Sequence, residues 1–194
     1  MSAVELGFSI KGYPGTERRV EDDSDLAHAT SPDLLQGAFI GDAILRLDDV
    51  DFSTRFGWVT LLYWCLGLAD TARNLEVEKS CILRVAESDD FISFRVYGDA
   101  ILAASSYRPG IAIVQHEAFM NSVEAFVVDR LGWVKENSPS AFTNPAIGEA
   151  LHRVGISLPG LLMRRSWPPM RRRTRPSPRG LPRCWSTMTP ICTT

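Results

Sequence analysis

From Trp58 to Ala69 the chain reads Trp-Val-Thr-Leu-Leu-Tyr-Trp-Cys-Leu-Gly-Leu-Ala, without one charged side chain. A run of this kind has to be covered on most sides, so the rest of the chain must fold around it. Val59, Leu62, Tyr63, Leu66 and Ala69 share one helical face. Leu61, Trp64, Cys65 and Leu68 make the other faces apolar too. We read Thr54 to Val77 as one long central helix, its buried stretch bracketed by Arg55 and Asp70. The apolar run is about half the length that a bilayer crossing requires, which makes it a core helix.

Around this helix the pattern changes to period 2. Val4, Leu6, Phe8 and Ile10 alternate with Glu5, Gly7, Ser9 and Lys11, as in a half-buried strand. Residues 13–31, with Pro14, Gly15 and the acids Glu21, Asp22, Asp23 and Asp25, read as a flexible acidic loop. Ser31-Pro32-Asp33 opens a short helical turn, with Ser31 as cap and Pro32 at the first position. A second strand spans about Ala38 to Leu47, interrupted near Gly41-Asp42.

After the helix come four strand patterns: Cys81–Ala86, Phe91–Tyr97, Ala100–Ser106 and Ile111–Val114. They are separated by the turns Glu87–Asp90, Gly98-Asp99 and Arg108-Pro109-Gly110. These leave no room for crossover helices, so the meander is antiparallel. Ile92, Phe94 and Val96 face the core, with Ser93 and Arg95 on the other side. His116 to Glu136 returns to helical period through Phe119, Val123, Phe126, Val127, Leu131 and Val134. Asn144-Pro145 caps a last short helix with the stripe Ile147, Leu151 and Val154, stopped by Gly155. The order predicts an α+β fold: an antiparallel sheet of about five strands, with a long buried helix and two C-terminal helices on one face. We assign residues 1–160 to this single domain.

Charge divides the chain. All 23 acidic residues precede Ser157, whereas Arg164 onward carries eight arginines and no acid; residues 1–163 hold 13 Lys+Arg and a net charge of −10. Residues 164–194 admit three readings. They can be a basic arm for nucleic acid or a membrane surface, a disordered linker, or out-of-frame translation of a GC-rich gene, which we favour. Back-translated with GC-rich codons and re-read in a shifted frame, the last twenty or so residues can spell EAVAARIAEVLVDYDP, an acidic segment with Ile and Val at helical spacing.

No reaction is written in the motifs. The residue four after His116 is Met120, so His116-Glu117 is no zinc-protease pair. Asp48, Asp49 and Asp51 could hold a divalent cation, but no Gly-containing calcium loop surrounds them; a solvated turn is the simpler reading. His28, His116 and His152 share no useful spacing, and His152 lies off its helix stripe. There is no nucleophile elbow, P-loop or dinucleotide fingerprint. Cys65, Cys81, Cys184 and Cys192 show no metal or disulfide spacing. We therefore assign no catalytic residue, no metal and no cofactor. Glu5 and the lack of a basic leader argue against a secretory signal, so the expected compartment is the cytoplasm.

What remains is electrostatic. The acids cluster in loops and turns, and Asp22, Asp23, Asp48, Asp49, Asp51, Glu87, Asp89 and Asp90 are the candidate contacts for a basic protein partner. Such a body repels nucleic acid, which only the Arg-rich tail could engage. Acidity kept for solubility alone is the plainer alternative. From Gly37 to Gly155, the element order and acidity resemble small bacterial immunity-type proteins of polymorphic toxin loci. That resemblance implies a non-enzymatic protein that blocks a toxin by binding it. A small enzyme or ligand-binding domain remains the alternative, its site assembled from Asp48, Asp51, Arg95 and His116.

Overall fold

The computed structural model describes residues 3–10, 26–55, 57–85 and 88–156. They form an α+β fold with two antiparallel sheets of four strands each, where the sequence predicts one sheet of about five. In the first sheet, β1 (Val4–Ile10) pairs along its whole length with β2 (Ile40–Leu47), from Val4 opposite Leu47 to Ile10 opposite Gly41. Two short strands, β3 (Val50–Asp51) and β4 (Val59–Thr60), also pair with β2. The second sheet is the predicted meander: β5 (Ser80–Arg84), β6 (Phe91–Tyr97), β7 (Ala100–Ser105) and β8 (Ile111–Gln115).

The central helix α1 spans Leu61–Val77, starting later than the expected Thr54. The residues before it are held by β2. Phe52 N donates to Leu45 O and Thr54 N to Ala43 O, while the Ser53 and Thr54 hydroxyls accept from the backbone N–H groups of Leu45 and Ala43. Helical spacing cannot register that competition, because it arises from residues eight to eleven positions away. Trp58 consequently lies outside the helix and is 45% exposed, against its expected place in the core. Leu61, Leu62, Trp64, Cys65, Leu68 and Ala69 are buried as expected.

Helix α2 (His116–Asn137) packs along α1 and buries the whole predicted stripe from Phe119 to Val134. A 3-10 turn, Pro139–Thr143, leads to α3 (Pro145–Arg153). The α1–α2 pair lies against the inner faces of both sheets: α1 meets β2, β5 and β6, and α2 meets β1, β7 and β8. Phe94 and Phe119, with ring centroids 5.3 Å apart, mark one seam. Ile92 and Phe94 point inward and Ser93 and Arg95 outward, as alternation requires.

Two local expectations are corrected. β2 is not interrupted at Gly41-Asp42: it stays paired there, and Gly41 lets Phe8 and Ser9 of β1 come close. The turn near Pro32 is closed by Thr30, whose Oγ1 accepts from Asp33 N, and not by Ser31. Most of the acidic loop expected over 13–31 falls outside the described residues. Its end is anchored, however: Leu26 is buried, and Asn144 Nδ2 donates to the carbonyls of Leu26 and Ala29. The tail expected over 164–194 lies outside the described residues.

Candidate functional site

Asp48 and Asp49 form the two-residue turn joining β2 to β3, closed by the Leu47–Val50 pair. Asp48 takes φ 50°, which Asp tolerates better than most side chains in such a turn. Its backbone N–H donates to Ala3 O, and its Oδ1 accepts from Ala3 N, each at 2.8 Å. Asp51 Oδ1 accepts from Ser53 N at 2.9 Å; Oδ2 lies 3.6 Å from Arg46 Nε and 4.0 Å from Arg55 Nη2. Bonding to Ser53, helped by the two arginines, holds the Asp51 carboxyl below its ordinary range. Arg46 also pairs with Glu5 at 3.0 Å.

A second acidic turn reaches the same end from the other sheet. Asp90 Oδ1 accepts from Ser106 Oγ at 3.1 Å, and Asp90 N donates to Ser88 Oγ. The next residue, Tyr107, donates its hydroxyl to Phe52 O at 2.6 Å, beside Asp51. Burial raises the Tyr107 phenol, and the charges of Asp90 and Asp51 raise it further. Both carboxylates therefore lie within electrostatic reach of one phenol. A methyl placed at Gly110 would touch Val50, which sets the β7–β8 turn against the β2–β3 hairpin.

The structure thus brings Asp48, Asp49, Asp51, Asp89 and Asp90 to one end. Asp49 and Asp89 are exposed, and Arg46, Arg55 and Arg108 share that end. Asp22, Asp23 and Glu87 lie outside the described residues. Tyr107, which links the two turns, is a candidate that sequence reasoning missed. Its signal was an aromatic ring in a polar turn, between Ser106 and Arg108.

Asp48 and Asp51 do not meet Arg95 and His116. Arg95 faces outward from the second sheet, and His116 opens α2 beside Lys79, far along the strands from Asp90. A depression of about 400 Å³ there is lined by Lys79, Gly98, Asp99, Gln115, His116 and Glu117. Burial, followed by the Lys79 charge, lowers the His116 pKa. Among the described residues, no three His, Cys, Asp or Glu side chains are grouped to hold a metal ion. Burial pushes the Cys65 thiol far up and the Cys81 thiol up to about 11, well outside the range of an activated nucleophile. Among the described residues, no helix is long and apolar enough to cross a membrane.

Comparison with protein-family models, curated proteins and solved structures gave no match.

Proposed function

We propose that this is a non-enzymatic interaction protein of the immunity or antitoxin kind, which binds a basic protein partner at its acidic end. The observation that carries this reading is the joining of two sequence-distant acidic turns at Tyr107, in a body of net charge −10. The paired acids fix the turns: Asp51 is tied to Ser53, Arg46 and Arg55, and Asp90 to Ser106. That leaves Asp49 and Asp89 outward on a stiff support. Outward carboxylates on such a support, beside Arg46 and Arg55 that are paired to Asp51, raise association rate and select a basic partner more than they raise affinity.

The test uses the partner recovered from the native host. Its association rate is expected to fall about tenfold between low and physiological salt, and again by about tenfold in an Asp49→Lys/Asp89→Lys variant. A salt-insensitive rate, or a rate untouched by the double substitution, sinks this reading.

A further inference from the structure

A strand at the edge of a sheet offers unpaired N–H and C=O groups to any other extended chain, and side-chain charge is the common means of keeping such chains away. The edge strands β1, β3 and β5 carry Glu5, Asp51 and Arg84. β8 ends the second sheet and reads Ile-Ala-Ile-Val-Gln, with no charge, no proline and no glycine. It is an edge strand without a guard.

The register shows which of its backbone groups are free. Just past β8, His116 N donates to Asp99 O, the residue opposite it in the β7–β8 ladder. Antiparallel ladders alternate, so Ala112 and Val114 turn their N–H and C=O groups toward β7. Those of Ile111, Ile113 and Gln115 turn outward, and among the described residues nothing hydrogen-bonds to them.

This free set is symmetric about Ile113, which selects the occupant. An antiparallel second β8 with its twofold axis at Ile113 sets Ile113 opposite Ile113 of the second copy and Ile111 opposite Gln115 of the second copy. Each facing pair then exchanges both of its backbone bonds, and every outward group is used. Sliding the register by one pairing step either way sets Gln115 opposite Pro109, which has no N–H, or Ile111 opposite Glu117 within α2. The matched register is thus the one that leaves no free group behind.

Side chains and charge agree with it. Ile111 and Ile113 are 65% and 56% exposed on the face turned away from α1 and α2, and pairing brings both isoleucines of each copy together in the middle of one sheet. β8 starts at the acidic end, where Gly110 meets Val50, and finishes at His116. Antiparallel pairing therefore keeps the two acidic ends apart. We propose that β8 is the seam of a twofold homodimer, joined antiparallel across Ile113, in which the two meanders form one continuous sheet.

The experiment follows the full chain by sedimentation equilibrium from micromolar to near-millimolar concentration, under reducing conditions so that no thiol links the copies. A reversible monomer–dimer equilibrium is expected. Ile113→Lys sets two like charges at the axis and should weaken the dimer by about a hundredfold or more. Ile82→Lys, on the same outer face but on β5, should leave it unchanged. Both positions are exposed, and circular dichroism checks that each variant is folded. Hydrogen exchange on the unaltered chain reads the seam directly: the amides of Ile111, Ile113 and Gln115 should gain protection as concentration rises, while Ala112 and Val114 are protected throughout. A monomer at every concentration overturns the proposal, as does a dimer that Ile113→Lys leaves intact. Equal disruption by Ile82→Lys, without the alternating amide protection, assigns the contact to stacked outer faces and overturns the seam. Open-ended polymers overturn it as well, because β8 would then be pairing with β5. None of these readouts involves the acidic end, so the two readings stand or fall separately.

Discussion

Gly41 and Gly67 both interrupt apolar runs, yet a single methyl group has different consequences at each. At Gly41 the added Cβ would sit 2.1 Å from the Ser9 carbonyl oxygen and 2.8 Å from the Phe8 ring, so backbone would have to move. Gly41→Ala is expected to cost about 3 kcal/mol or more, read as a fall in the denaturant midpoint. At Gly67 the Cβ meets the Leu83 Cδ1 end of a flexible side chain, and Ala favours the helix by about 1 kcal/mol. Gly67→Ala should therefore change stability by less than about 1 kcal/mol, and a large loss there would mean that Leu83 cannot turn away. His116 carries a pH prediction. Its folded pKa is lowered, so the unfolded chain takes up the proton first as pH falls. The stability that neutral His116 contributes is complete above the ordinary histidine pKa near 6.5 and is lost as pH falls below it. His116→Gln should flatten thermal stability across that window, and an unchanged profile would remove His116 as its source.

At the scale of elements, the most consequential polar contact is at Asn144. Its Oδ1 accepts from Ala146 N to cap α3, and its Nδ2 holds the carbonyls of Leu26 and Ala29, all at 2.9 Å. Asn144→Ala strips the cap and leaves two carbonyls short of a donor, which should cost about 2–4 kcal/mol by chemical denaturation. Asn144→Asp keeps the cap but removes both donations, so it should recover only part of that loss. Tyr107 plays the corresponding part between the sheets. Tyr107→Phe removes the hydroxyl that donates to Phe52 O, at an expected cost of about 1–2 kcal/mol. Because that bond joins the two acidic turns, the same variant should slow association with the basic partner without any change in net charge. A normal rate would show that the turns hold their positions unaided.

For the whole molecule, much of the architecture followed from periodicity. The meander from β5 to β8, the buried stripe of α2 and the Asn144 cap came from local side-chain spacing and turn chemistry, because each element's inner face is written in its own residues. The late start of α1 was not legible, since Ser53 and Thr54 are held by bonds to β2 that compete with a helical pattern. The division into two sheets was equally hidden, because pairing within each sheet leaves their mutual placement to side chains distant in sequence, such as Tyr107 and Val50. The sequence by itself determined which residues are apolar, that the meander strands pair as antiparallel neighbours, and how negative the body is. Only the tertiary structure decided that Asp48–Asp51 and Asp89–Asp90 share one end, and that a face bearing Ile82 and Ile111 turns away from the core. Periodicity records which side of a strand is apolar, whereas packing of the helices chooses the side they cover.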